Sequence, residues 1–349
     1  MWLLPLTVGF FIAHAIGSFK RQAPLFIITL VIFEALSNFS SVWYAYLGGH
    51  LASPHLPALK LAVSSYDFSE LWRLPLFRPT WWAASKGAMM GLVLGCTAAL
   101  THIPFLQRVI DQGKEAAQWI LSKVFSRLIP LFVLGFVARM YQMNLDAIVQ
   151  YGTLLIWLLV LLVLYILGIF IIASRWTIKD IVQSIKNLLP AAGLAFTSGC
   201  SISTMPWTIE GSAKNLQNPS LAKAIIPATT NIQQIGDCIT NTFLCFLLYT
   251  HFFGHPPDFI TWATFSGVYI LYRFATAAVL GGAIFIMIPV YETYLAFNAE
   301  MIAMIVAFNV ILDPIVTSSN VIANGALCRV FEKVWIYVTA RIPKKENSP

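Results

Sequence analysis

Charge is scarce in this sequence. Asp, Glu, Lys and Arg supply 11% of its 349 residues, against about 25% in an ordinary soluble domain. With 58% of residues hydrophobic, that scarcity excludes a soluble globular domain and leaves an all-α polytopic membrane protein. The charge that exists is basic, a net +7. In a soluble chain this would suggest nucleic acid. Here basic cytoplasmic loops account for it, and no nucleic-acid partner is expected. The five cysteines, Cys96, Cys200, Cys238, Cys245 and Cys328, form no CxxC pair and sit in or beside apolar runs. They read as buried free thiols. His14, His50, His55, His102, His251 and His255 show no ligand spacing, so no transition-metal site is expected. HExxH and GxSxG are absent as well. A membrane enzyme would need a nucleophile–base pair that the sequence does not offer.

What the sequence does contain is polarity in the wrong place. Leu312 to Ala326 reads LDPIVTSSNVIANGA after a long apolar run. Asp313, Thr317, Asn320 and Asn324 recur there at spacings of four, three and four, so a helix puts them on one face. Such a stripe cannot face lipid without a cost of several kcal/mol. It must face a partner helix, water or a ligand, which points to a solute pathway.

Apolar segments fall at about 1–17, 25–49, 87–104, 119–140, 149–173, 188–206, 224–253, 262–289 and 299–328. A full span needs about 20 residues. The 51–86 stretch is broken by Pro54, Pro57, Pro75 and Pro79, with Trp72, Trp81 and Trp82 nearby, and reads as interfacial or kinked pieces. Most basic residues cluster at Lys20/Arg21, at Arg108 to Arg127, at Arg175 to Lys186, at Lys214/Lys223 and from Arg329 to Lys345. Placing all these clusters in the cytoplasm leaves Lys60, Arg73, Arg78, Lys86, Arg139 and Arg273 elsewhere. It also requires 188–206 and 262–289 each to enter and leave on one side, as hairpins. Both carry small residues and breakers, from Ser198 to Pro206 and from Ala277 to Gly282. Mid-membrane breaks of this kind commonly form transporter binding sites. The competing reading is two kinked ordinary helices. Trp43, Tyr44 and Tyr46 read as interface-belt residues, and Arg175, Lys179 and Lys186 as a cytoplasmic collar. Glu292 and Glu300 read as solvated. Lys20 and Arg21 follow the first apolar segment, unlike a signal peptide. The expectation is an incomplete start or an unusual insertion.

Ala195 to Pro206, AFTSGCSISTMP, resembles the serine-rich first hairpin tip of the dicarboxylate/amino acid:cation symporters, AF-x-T-x-SSS-x-T-L-P. Pro227 follows Pro206 at that family's distance and precedes ATTNIQQIGD, where the family ends in NMDGT. Val279 to Gly282, VLGG, resembles the family's VPGG tip. Asp313 to Gly325 resembles its last helix, D-x-x-R-T-x-x-N-V-x-G-D. The resemblance covers nearly the whole chain and begins inside the family's second helix. No single motif is intact; order, spacing and topology together carry the match.

The resemblance implies a glutamate-transporter-like fold with two re-entrant helical hairpins, assembled as a homotrimer in the lipid bilayer and working as an elevator. Residues 1–187 would hold scaffold helices plus two transport-domain helices at about 25–49 and 149–173. Residues 188–340 would form the core transport domain, with hairpins at about 188–206 and 262–289, and 341–349 a polar tail. The substrate would contact Asp313 through its amino group and Asn320 through its carboxylate, with Thr317 the neighbouring threonine of the same site. Ser201, Ile202, Val279 and Gly281 of the two tips would complete that site. The family's arginine for acidic side chains falls at Val316, so a second substrate carboxylate lacks its bidentate partner. The ion-binding carboxylates fall at Ile235 and Asn324. Asp237 lies one residue past Gly236, a turn of about 100° on a helix, and is not a simple replacement. Gln233, Asn324, Ser37, Asn38 and Glu34 are the cation candidates.

Glu34 stands alone inside an apolar span, on the face of Ser37 and Asn38. It is a proton-site candidate; a structural hydrogen bond to a neighbouring helix is the alternative. For Asp313 the alternative is a helix N-cap, since Pro314 follows it. The resulting expectation is a symporter in the cell inner (plasma) membrane, moving a small and neutral amino acid with Na+ or H+ and no other cofactor. A degenerate paralogue with a structural or regulatory role, and a dicarboxylate transporter, are the rival readings. A basic residue near the site in three dimensions would favour the last.

Overall fold

Charge-free stretches become helices in lipid because only hydrogen bonds within the segment satisfy the backbone there. In the computed structural model the described residues are 23–56, 84–101, 103–119, 152–174, 176–273 and 282–341, with isolated positions 6, 10 and 13. Among them all regular structure is helical. Helix α1 spans Ala23–Ala52, α2 Ala84–Thr101 and α3 Pro104–Trp119. Helix α4 spans Gly152–Ala173, α5 Ile178–Ser198 and α6 Met205–Ala213. Helix α7 spans Ala222–Thr229, α8 Ile235–Phe253 and α9 Phe259–Arg273. Helix α10 spans Gly282–Leu295 and α11 Ala299–Ala340.

Of the expected apolar segments, two described helices are long and apolar enough to cross a membrane, Leu25–His55 and Gly152–Ala173. Helix α4 has no charged residue. At 1.5 Å per residue its length is about 33 Å, close to a hydrocarbon core. It leaves Ile156, Val163, Leu164 and Ile172 exposed, an apolar flank suited to lipid.

The core forms where α8 runs between α1 and α11. Helix α8 is buried from Ile235 to Leu248 with Asp237 the one partly exposed position. Trp43, Tyr44 and Tyr46, read above as interface-belt residues, also make contacts within the protein. Helix α1 lies against α8 and α9, so the rings turn inward. Trp43 meets Tyr46 and Phe259 at 5.5 and 5.2 Å between centroids. Tyr44 donates its hydroxyl proton to the Leu161 carbonyl at 3.1 Å, and Tyr46 to that of Pro257 at 3.1 Å.

The 224–253 segment is not one helix. After α7 the backbone leaves helical geometry at 230–234 and resumes in α8. The Thr229 and Thr230 hydroxyls donate back to the Ile225 and Ile226 carbonyls at 2.9 and 2.6 Å, which competes with the helix ladder. Asn38 of α1 then captures the Ile232 carbonyl at 2.9 Å. By contrast 299–328 lies within the single 42-residue α11, capped by Asn298 and continuous through Pro314.

The first expected hairpin is a longer helix–turn–helix. Helices α5 and α6 pack together across a turn at 199–204, and Lys179 and Lys186 are exposed on α5. Gly199 takes φ +58° and donates to the Ala195 carbonyl at 2.9 Å, a left-handed helix end that glycine permits. Helices α9 and α10 form a second packed pair. The stretch between them, including Val279 and Gly281, lies outside the described residues, as do residues 57–83, 120–151 and the tail 342–349. Cys200, Cys238, Cys245 and Cys328 are free thiols.

Candidate functional site

Three irregular or polar stretches meet: the turn after α5, the break before α8, and the polar face of α11. Ser201, Thr208, Thr230, Gln233, Asn320 and Asn324 line one small cleft between them. Thus Ser201, Gln233, Asn320 and Asn324, expected from three separate motifs, share a wall. The break is held from α1 as well as from α11. Ser37 donates to Gln233 Oε1 at 3.1 Å, and Asn38 holds Ile232 as described. Asn324 Oδ1 accepts the Thr229 hydroxyl at 2.8 Å.

Asp313 is not a helix cap, because α11 runs through it. Its carboxyl is hydrogen-bonded by Thr317, one turn on. Its Oδ2 is buried with no hydrogen-bond partner among the described residues. Glu34 is 2% exposed and its Oε2 likewise lacks a partner. It does not line the cleft. Ile202 is buried in the apolar cluster of Phe26, Met205 and Phe331, so its side chain serves packing beside the cleft.

Two charged residues stand closer to the centre than the motif alignment suggests. Asp237, at the start of α8, accepts from Asn320 Nδ2 at 2.7 Å and returns its backbone N–H to Asn320 Oδ1 at 3.2 Å. Arg273, at the end of α9, is fully buried and pairs with Asp237 at 3.3 Å. It also donates to Gln234 Oε1 and lies 5.7 Å from the Tyr269 ring centroid. The approach of α8 to α11 depends on Gly236. A Cβ there would meet the Val316 carbonyl oxygen at 2.5 Å. The signal that could have found Arg273 is its isolation: a lone arginine in an apolar run marks a function or a partner.

Sodium prefers oxygen ligands. The cleft offers neutral amides and hydroxyls, and the amide oxygens of Gln233, Asn320 and Asn324 already accept internal hydrogen bonds. Ile235, where the resemblance would put a carboxylate, is buried in the apolar core. Among the described residues no group of three or more His, Cys, Asp or Glu could hold a metal ion.

Helices long and apolar enough to span a membrane, a helix broken at a buried polar centre and a helix–turn–helix whose turn lines that centre fit the build of a membrane solute carrier. Residues 1–334 match the sodium:dicarboxylate symporter family, and the chain belongs to that family. Its members are membrane-embedded transporters, not enzymes, and the family's coupling ion is sodium. No curated protein matches the chain significantly.

Proposed function

We propose that this protein is a secondary active symporter for a small neutral amino acid. Asp313 holds the substrate ammonium, and Asn320 and Thr317 hold its carboxylate. The observation that carries this reading is a contrast between two carboxylates. Asp237 has Arg273 as its counter-ion at 3.3 Å, whereas Asp313 Oδ2 is buried without a hydrogen-bond partner among the described residues. A carboxylate at membrane depth calls for a cation, a proton or a ligand, and an amino acid's ammonium fits. Val316 is buried at the position of the family's arginine, which argues against a second carboxylate.

The helix pairs α5–α6 and α9–α10 act as re-entrant hairpins, with Val279 and Gly281 at the second tip. Residues 188–340 move as an elevator against the scaffold of a homotrimer in the inner membrane. Coupling uses sodium at Gln233, Asn324, Ser37 and Asn38, or a proton at Glu34. The neutral donor set supports fewer sodium ions than the family's carboxylate sites. The rival dicarboxylate reading draws on Arg273, a buried base beside the site; its engagement by Asp237 weighs against it.

The test is uptake of labelled neutral amino acids into proteoliposomes under separate sodium and proton gradients. Uptake lost in Asp313→Ala supports the reading. Proton-driven uptake unchanged in Glu34→Gln removes Glu34 as the proton site. No uptake under either gradient, from folded trimer, refutes the transporter and returns weight to a degenerate paralogue. Stronger uptake of succinate than of serine favours the dicarboxylate reading.

A further inference from the structure

Arg273 is the most buried formal charge in the described part of the molecule, at 0% exposure, and the family alignment gives it no role. Its surroundings are specific. Asp237 Oδ2 receives both the guanidinium, at 3.3 Å, and the Asn320 amide, at 2.7 Å. Asn320 lines the cleft. The Asp237 side chain is 14% exposed and that of Arg273 is not exposed at all. Asp237 therefore links the guanidinium to Asn320, a residue of the cleft wall. We infer that Asp237 is a specificity-determining mask: it neutralises Arg273 and so keeps substrates with a second carboxylate out of the site.

The physics follows from charge and geometry. A guanidinium is always charged and matches a carboxylate in a bidentate fork. Beside an amino acid site it would be the natural partner of an acidic side chain. Asp237 occupies that partner position with a carboxylate from the protein itself. An incoming aspartate would have to displace a bonded anion and would meet two fixed carboxylates, Asp237 and Asp313. A neutral side chain meets no such cost. Gln234 Oε1 gives the guanidinium a second acceptor, so loss of the Asp237 charge does not strip Arg273 of acceptors. A purely structural ion pair would not need the link to Asn320, which lines the cleft.

This inference rests on the amino acid reading above, and its test separates the two. The full chain is purified, and its thermal stabilisation by L-serine and by L-aspartate is titrated for the wild type, Asp237→Asn, and Asp237→Asn with Arg273→Gln. The wild type is expected to prefer serine. Asp237→Asn is expected to raise the affinity for aspartate relative to serine at least about tenfold, the scale of one charge-assisted contact. The double variant is expected to lose that gain, which a merely structural role would not produce. An unchanged ratio in Asp237→Asn, or a gain that survives in the double variant, overturns the mask. Should Asp237→Asn not fold, Arg273→Gln carries the test, because it leaves Asp237 uncompensated. It is expected to gain lysine over serine by about the same factor, and no gain overturns the inference. A wild type that ignores serine, with an Asp237→Asn variant that gains aspartate, refutes the neutral-substrate reading and leaves the mask standing. Serine preference in the wild type without a gain in either variant does the reverse.

Discussion

Glu332 offers a sharp test of how the polar face of α11 holds the rest of the fold. It is 2% exposed, one of the few carboxylates buried in the described structure. Its Oε2 accepts the Gln217 N–H at 3.0 Å and its Oε1 the Asn218 N–H at 2.7 Å. Both belong to the loop that leaves α6 for α7. Asn218 in turn accepts from the Ser220 N–H and hydroxyl at 3.2 and 2.6 Å, so one carboxylate sets the entry to α7. A hydrogen bond to a charged group contributes about 1.5–3 kcal/mol net. Gln217 and Asn218 are themselves exposed, and water can replace part of what is lost. Discounting for that, Glu332→Ala should cost about 2–4 kcal/mol. Glu332→Gln keeps one acceptor and should cost about half as much. At roughly 2 °C per kcal/mol for a chain of this size, alanine should lower the unfolding temperature by about 4–8 °C and glutamine by about 2–4 °C. Tryptophan fluorescence of the purified protein in detergent reads the transition. An alanine variant within about 1 °C of wild type would refute the clamp.

Two further outcomes follow from local geometry. Gly236→Ala places a methyl 2.5 Å from the Val316 carbonyl oxygen and 2.9 Å from Ser319 Cβ. Helix α8 must then back away from α11, at about 1–3 kcal/mol, and both the unfolding temperature and substrate binding should fall. Asp258 lies outside the membrane segments, just ahead of α9. The Thr261 N–H at 2.8 Å and the Thr261 hydroxyl at 3.0 Å hold its carboxyl below the ordinary carboxylate range. Its folded value is lower than its unfolded one, so its contribution is complete above the unfolded value, about 4. It disappears as pH falls through the folded value. Asp258→Ala should therefore unfold earlier than wild type at neutral pH, with the gap closing in increasingly acid buffer. A gap that persists in acid would count against the cap.

The helices were legible because their causes are local. Gly152–Ala173 and the polar spacing of Asp313, Thr317, Asn320 and Asn324 need only composition and period, and both stand where the sequence puts them. The break at 230–234 was not legible from hydropathy, because 224–253 is apolar on both sides of it. What holds the break is an amide from Asn38, which lies 194 residues away from Ile232. The limits of the first helix pair were misjudged for a related reason. Lys179 and Lys186 read as a cytoplasmic collar outside the apolar segment because they are charged, yet they lie on the exposed side of α5, whose other side buries Ile181, Ser184 and Leu188.

Four of the motif residues, Ser201, Gln233, Asn320 and Asn324, line one cleft, but the charges beside it were obscure in the sequence. Alignment by motif treats each position alone, so Asp237 looked misplaced by one residue and Arg273 looked like a leftover from the topology. A turn of about 100° moves a side chain away from one neighbour, but it also turns it toward another. At Asp237 the new neighbours are Asn320 and Arg273. Arg273 reaches the same centre through Gln234, 39 residues earlier in the chain. Neither residue explains the other until both are in space. A buried arginine without a carboxylate is costly, and so is a buried carboxylate without a base. Asp237 therefore belongs with Arg273 rather than with a missing ion ligand, whereas Asp313 Oδ2 is buried with no hydrogen-bond partner among the described residues.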